Sequence, residues 1–163
     1  MEMAIESLYN TTGEIPQGWY CRYGPSEHTR ELVVANKHLT YDSDAYNDDM
    51  PFLTLVLGQQ HLVVPYSLAN NDIKFDTTAF GSPRDFEEYL IWNLDQLHDE
   101  GAETPKMMSV GIHMRLAGLP GRAQALKNFV NHAQSLGGVW FARRDQIADH
   151  WRQNFAESKE NAA

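Results

Sequence analysis

Apolar positions along this chain switch between a helical spacing and short continuous runs. Met1, Ile5 and Leu8 share one helical face, and Gly13 with Pro16 beyond it supplies the stop signal. An extended segment around Gly18, Trp19 and Tyr20 leads into a polar turn through Gly24, Pro25 and Ser26. Residues 29–34 predict a brief helix and 39–41 a short strand, whereas the acidic stretch 42–49 fits neither period and reads as a loop. The run HLVVPY at 61–66 predicts a buried strand that ends at Pro65. Ser82 and Pro83 then provide an N-cap and a first-turn proline, and Asp85 suits the positive end of the helix dipole. Phe86, Tyr89, Leu90, Asn93, Leu94 and Leu97 form that helix's stripe, which Gly101 closes. The run KMMSVGI at 106–112 predicts a strand buried on both faces, and a loop with Gly118, Pro120 and Gly121 follows. Leu126, Phe129, Val130, Ala133 and Leu136 predict a helix stopping at Gly137 and Gly138. VWFA at 139–142 predicts another strand, and 145–155 a last helix with Ile147, Ala148 and Trp151 inward.

Strands alternating with helices over short loops imply an α/β fold with parallel pairing. The strands at 61–66, 106–112 and 139–142 are therefore expected side by side and parallel in one sheet. Functional residues of such folds gather just past the C-terminal ends of strands. That rule selects residues 20–22, 42–44, 65–72 and His113. One domain over 1–155 and a disordered tail over 156–163 are expected.

Composition narrows the function classes. The chain has 163 residues, with 42 % hydrophobic and 21 % charged, which is ordinary for a globular domain. Acidic residues outnumber basic ones 22 to 13, a net charge of −9 that repels nucleic acid and anionic membranes. The tightest basic pair is Arg143–Arg144, so neither kind of partner is expected. A single cysteine, Cys21, allows no internal disulfide, and the N-terminus lacks the basic and apolar regions of a signal peptide. Apolar runs are too short to span a bilayer, so a cytoplasmic location is expected.

His113, directly after MMSVGI, is placed where an imidazole could protonate a leaving group, or simply cap a strand end. Asp42 and Asp44 would point the same way if extended, suiting a shared proton, a substrate amide or a metal; an ordinary acidic loop is the alternative. Tyr46 at a ligand position and the lack of a following glycine exclude an EF-hand loop. Asn71–Asp72 could hold a polar substrate or form a turn. Arg22 could clamp a carboxylate or carbonyl, or pair structurally with nearby acids. Cys21 with His28 is a weak thiol–imidazole pair, and His61, His98, His132 and His150 lack metal-ligand spacing. Walker, GxGxxG, HExxH and GxSxG motifs are absent.

Read together, PQGWYCRYGPSEHTRELV, YDSDAYNDDMP, HLVVPYSLANNDIKF, GAETPKMMSVGIHMRLAGLPGRAQALKNF and GGVWFARRDQIADHW resemble consecutive blocks of the allantoinase-type polysaccharide deacetylases, in order and over nearly the whole chain. The resemblance implies part of a deformed (β/α) barrel of the NodB type, with its N-terminal half absent, since such barrels need about 250 residues. It implies a hydrolase of non-peptide carbon–nitrogen bonds, opening a cyclic amide in purine catabolism or deacetylating an N-acetylated sugar; a non-catalytic fragment or interaction module is the alternative. It further implies His113 as general acid, with Arg22, Asp42, Asp44, Asn71 and Asp72 lining the substrate site. No metal ligands are assigned in this chain, and a divalent metal is expected only with the N-terminal half. The expected partners are a small cyclic amide or acetylated sugar, and either a second copy or a complementing N-terminal half. Met114, Ala69 and the stretch 36–38 depart from the family's usual cysteine, aspartate and glycine pair.

Overall fold

The computed structural model describes residues 1–155, so the segment 156–163, expected to be a disordered tail, lies outside the described residues. The chain divides into two compact units, one formed by 1–66 with 142–155 and the other by 67–141.

The first unit carries an open four-stranded sheet. Its elements are α1 (Glu2–Thr12), β1 (Gly18–Trp19), α2 (Thr29–Val34), β2 (Tyr41–Asp42), β3 (Phe52–Val56), β4 (Gln59–Val63) and, from the C-terminal end of the chain, α6 (Arg144–Phe155). The strand order is β1-β2-β4-β3. β1, β2 and β4 run parallel, with Gly18 opposite Tyr41 and Tyr41 opposite Leu62. β3 is antiparallel to β4, Phe52 facing Val63 and Val56 facing Gln59. Leu57 (φ 50°) and Gly58 (φ 78°) close this hairpin, both in the left-handed region that a tight turn of the sheet's hand requires. Gly18 is fixed by contact rather than by backbone angle: a Cβ there would lie 2.2 Å from the Tyr41 ring across the β1–β2 pair.

Ile5 of α1, Val33 of α2 and Leu39 form a buried cluster backed by Trp19, which explains why the helical face of α1 turns inward at Ile5. Leu62, Val63 and Val64 are almost fully buried, as the run HLVVPY implied. Such burial of each aliphatic side chain stabilises by about 1.5–3 kcal/mol. α6 buries Ala148 and reaches the sheet ends through Arg144 and Arg152, the latter donating to the Thr40 carbonyl.

The second unit is helical. It contains a 3-10 turn (Asp72–Phe75), α3 (Pro83–Glu100), α4 (Met114–Ala117) and α5 (Pro120–Ser135). α3 starts in a full capping box: Asp85 N–H donates to Ser82 Oγ at 3.2 Å and Ser82 N–H to Asp85 Oδ2 at 2.8 Å. Phe86, Leu90 and Leu94 of α3 meet Phe129 and Ala133 of α5 around Phe80, the core of the unit. Phe75, Phe80 and Phe86 pack mutually at 5.3–5.5 Å between ring centroids.

The mixed α/β architecture holds, but the expected sheet does not. Of the three strands expected side by side, only the first is a strand, and it spans 59–63. Residues 106–112 contribute a single parallel bridge, Gly111 to Asn71, flanked by Gly111 N–H to Asn70 O and Asp72 N–H to Gly111 O. Their apolar side chains are satisfied instead by helices, since Met108 and Val110 pack on the α3–α5 core. Residues 139–142 form no ladder, and Val139 joins the same core. An apolar run reports burial, not the backbone partner beside it. The loop expected at 118–121 is likewise partly helical, because Pro120 opens α5 at its first turn. β3 escaped the sequence reading, although FLTLV before Leu57-Gly58 carries a hairpin's signal.

Candidate functional site

The parallel strands of the first unit deliver their chemistry just past their C-terminal ends: Tyr20 after β1, Ser43 and Asp44 after β2, Val64 to Tyr66 after β4. Asp42, 1 % exposed, is saturated. Arg30 Nε and Nη2 donate to its two oxygens at 2.8 and 3.1 Å, His61 Nε2 lies 2.9 Å from Oδ2, and the Asp44 N–H donates to Oδ1 at 2.9 Å. Burial alone would push the Asp42 carboxyl up; the His61 and Arg30 hydrogen bonds and the Asp44 N–H outweigh it and hold the carboxyl at about 2. Asp42 is thus a fixed anion at the centre of a structural network.

Asp44 differs. Its Oδ1 accepts from the Cys21 N–H at 2.7 Å, while Oδ2 is buried without a hydrogen-bonding partner among the described residues. Burial pushes its carboxyl up against the opposing Cys21 N–H, and the Asp42 charge adds to the rise against Arg30. Around it stand Tyr20 and Tyr46, hydroxyls 3.2 Å apart, and Tyr66, whose ring centre is 5.3 Å from that of Tyr20. Burial, with the Tyr46 hydrogen bond behind it, pushes the Tyr20 phenol up to about 12. Arg144 Nη1 donates to Ser43 Oγ, Val64 O and Pro65 O at 2.8–3.0 Å, and its Cζ lies 5.6 Å from the Tyr66 ring centre. Desolvation lowers its pKa from the usual arginine range.

Arg22 sits apart from these acids. It is exposed, its guanidinium stacks 4.7 Å from the Tyr23 ring centre, and it forms no ion pair with Asp42 or Asp44 among the described residues. The carboxylate clamp belongs to Arg30, one helix later. Arg30, His61, Arg144 and Tyr46 were not singled out from the sequence as site residues. Position i, i+12 from an acid carries no motif, and only the strand-end rule, which flagged Tyr20, pointed near them.

The second unit holds the other candidate residues. Asp72 is fully buried. Its Oδ1 lies 2.6 Å from His113 Nδ1, and its Oδ2 accepts from the backbone N–H groups of His113 (2.8 Å) and Ala117 (3.1 Å). The first turn of α4 therefore clamps the carboxylate, and the carboxylate clamps the imidazole. With Nδ1–H donating to Asp72, Nε2 is the outward nitrogen of a ring whose side chain is 41 % exposed. Asn71 serves the backbone: its Oδ1 caps the 3-10 turn by accepting from the Ile73 N–H at 2.8 Å. Asn70 takes the neighbouring polar role, donating to Ser109 O at 3.2 Å and accepting from Asn93 at 3.1 Å.

The structure thus brings Asp42 beside Asp44 in one unit, and Asp72 beside His113 in the other. No three His, Cys, Asp or Glu side chains converge as a metal site among the described residues, and no described helix is long and apolar enough to cross a membrane. A carboxylate that orients a histidine and leaves the distal nitrogen outward is suited to general acid–base work.

No family model matches the chain. A Schizosaccharomyces pombe protein assigned by name to the polysaccharide deacetylases is 40 % identical to it, over 83 % of this chain and 47 % of that protein. Among solved structures, PuuE allantoinase aligns with TM-score 0.88 and 44 % identity over 95 % of this chain and 52 % of its own. A Pseudomonas aeruginosa PAO1 protein named for polysaccharide deacetylation aligns with TM-score 0.88 and 43 % identity, again over 95 % and 52 %. The chain spans about half the length of these relatives. By sequence and fold together the chain is similar to about half of a polysaccharide-deacetylase-like protein and of PuuE allantoinase.

Proposed function

We propose that the chain is the part of a hydrolase of non-peptide carbon–nitrogen bonds that bears the general acid, and that the complete enzyme opens a cyclic amide as an allantoinase does. The observation that carries this reading is the Asp72–His113 dyad. Asp72 holds the imidazole by one oxygen while two backbone N–H groups hold the other, so the ring is oriented before any substrate arrives. Water adds to the amide carbonyl carbon, its proton passing to a base outside this chain while the carbonyl electron pair moves onto oxygen and then returns. As the C–N bond then breaks, a protonated Nε2 gives its proton to the departing nitrogen, and the neutral imidazole remains hydrogen-bonded through Nδ1 to Asp72. A positioned acid of this kind contributes roughly 10²- to 10⁴-fold.

Positioning of the attacking water is assigned to no group in this chain. Because the relatives are about twice as long, we assign that task, and any divalent metal, to an N-terminal half supplied by a complementing chain or by a longer form of this protein. In this reading residues 1–155 form the C-terminal part of a single NodB-type domain. The reading also takes the enzyme as cytoplasmic, acting on a small molecule and assembling with itself or with its complement. Deacetylation of an N-acetylated sugar is the second reading, favoured by the names of two of the three relatives described.

The test compares allantoate formation by the chain alone, by the chain co-expressed with the N-terminal half of the PuuE relative, and by the complemented His113→Ala variant. Turnover only in the second sample is expected. Turnover by the chain alone would show the site to be complete here. Undiminished turnover in the complemented variant would remove His113 from its role, and the failure of every complemented sample on both cyclic amides and acetylated sugars would favour a non-catalytic module.

A further inference from the structure

His113 reaches Asp72 at 2.6 Å from the end of a segment that no described ladder holds. Residues 106–112 share with 70–72 one parallel bridge, Asn71 to Gly111, closed by Gly111 N–H to Asn70 O at 3.2 Å and Asp72 N–H to Gly111 O at 3.0 Å. Met108 and Val110 press the segment onto the α3–α5 core. Apolar packing is non-directional, so it keeps the segment against the helices without fixing its position along its own axis. A slip of one residue moves an extended chain by about 3.3 Å, further than the whole Asp72–His113 hydrogen bond is long. Register here has to come from directional contacts.

Asn70 supplies one. In a parallel ladder the rung beyond Gly111 runs from the backbone N–H of residue 70 to the Ser109 carbonyl. Here the Asn70 side chain takes that carbonyl, Nδ2 donating at 3.2 Å. Its Oδ1 accepts in turn from Nδ2 of Asn93 on α3 at 3.1 Å. Asn70 is 7 % exposed, and both ends of its amide are engaged. Asn93 is the amide in the stripe that α3 otherwise builds from Phe86, Tyr89, Leu90, Leu94 and Leu97. A leucine there would continue the stripe. The amide instead fixes Asn70, and so ties the rung to a long helix with a full capping box.

We infer that Asn70, held from α3 by Asn93, is a positioning residue of the Asp72–His113 dyad: its side-chain amide is the rung that sets the register of residues 109–113 on residues 70–72. The contacts run from Asn93 to Asn70 to Ser109, and the same segment then presents the imidazole to Asp72. Among the described residues the Asn70 amide bonds to neither the ring nor the carboxylate, so it acts on geometry and not on proton transfer. The catalytic meaning of this rests on the hydrolase reading, whereas the geometric effect does not. In catalysis a misplacement of about 1 Å costs about 10²-fold in rate.

The test reads the ring before it reads turnover. The full chain is labelled with ¹⁵N-histidine, and long-range ¹H–¹⁵N correlation at a pH where imidazoles are neutral shows which nitrogen of His113 holds the proton. Its signal is the one missing from His113→Ala. The Asp72 contact demands the proton on Nδ1, whereas a free neutral histidine ring favours Nε2. Wild type is expected to hold Nδ1–H. Asn70→Ala should lower the ratio of Nδ1–H to Nε2–H by about three- to tenfold, and so should Asn93→Leu, which continues the apolar stripe and is expected to fold even if Asn70→Ala does not. Ser82→Ala, which weakens α3 at its other end, should leave the ratio unchanged. In the complemented enzyme both asparagine variants should lower kcat by about ten- to a hundredfold at unchanged KM. A wild-type ratio in folded Asn93→Leu or Asn70→Ala, an equal fall in Ser82→Ala, or a rise in KM with kcat retained would each overturn the inference. A lowered ratio with no turnover in any complemented sample would uphold the inference and count against the hydrolase reading alone.

Discussion

Two aspartate–histidine pairs, one in each unit, show how the same residue types come to opposite ends. Asp42–His61 and Asp72–His113 share a short hydrogen bond, 2.9 and 2.6 Å, and both carboxylates are about fully buried. The histidines differ: His61 is 5 % exposed and His113 is 41 %. Asp42 further takes a two-pronged arginine from α2, so its pair is an internal brace that ties α2 to β2 and β4. Among the described residues Asp72 takes only backbone N–H groups besides its histidine, so its side-chain partner is the imidazole alone and one ring nitrogen is left outward. A carboxylate–histidine pair is therefore a brace or a proton donor according to what saturates the acid and whether the distal nitrogen is exposed.

The largest effect expected from this contrast is on turnover. In a complemented, active assembly, His113→Ala should lower kcat by roughly 10²- to 10⁴-fold in protein that still folds, because two backbone N–H groups continue to hold the other oxygen of Asp72. His61→Ala should instead lower the melting temperature. If His61→Ala proves the more damaging to chemistry in a protein that is still folded, the roles of the two pairs are reversed.

Next in size is the brace itself. Arg30→Ala leaves Asp42 buried and short of its main cation, and should destabilise the fold by about 3 kcal/mol in urea titrations. A loss within a few tenths of a kcal/mol would mean that His61 and the Asp44 N–H hold the anion unaided.

The acid limb of stability sharpens the same point. The Asp42 carboxyl is held at about 2 against 3.8 for a free one. In this range the unfolded chain binds more protons than the folded one, so stability present above 3.8 is lost as pH falls toward 2. That loss is about 2–3 kcal/mol, because each tenfold difference in proton affinity is worth about 1.4 kcal/mol. Asp44 works in the opposite sense: its raised carboxyl holds its proton more tightly when folded, so its penalty at neutral pH is relieved on acidification. Asp42→Asn should therefore flatten the acid limb of a stability–pH profile, and a profile of unchanged slope would count against the low value.

Smallest is a change placed away from both pairs. Ser82→Ala removes the capping box of α3 and should cost about 1 kcal/mol in urea titrations. A loss within a few tenths of a kcal/mol would show that Pro83 fixes the start of the helix without the box.

Much of this molecule was legible as sequence, where the signal is local. The helix over 29–34 and the one opened by Ser82-Pro83 are written in apolar spacing and capping residues, and the structure returns both with the same starts. His113 after an apolar run and the acids after residue 41 were singled out because strand ends are where side chains meet solvent. Hydrogen-bond ladders are not local: KMMSVGI is as apolar as HLVVPY, yet the first packs on helices and the second pairs on both sides. Nor is division of labour among like residues. Asp42 and Asp44 are indistinguishable in YDSD, and only the folded chain gives one an arginine and a histidine and leaves the other an unpaired oxygen. The arginine that clamps is Arg30 and not Arg22 because α2 carries position 30 back over β2, while position 22 leaves on the turn after β1. Periodicity, capping and strand-end position follow from neighbours in the chain and can be read without the fold. Which acid is saturated, which histidine faces out and which apolar run finds a partner depend on contacts across 12 to 80 residues, which exist only once the chain has folded.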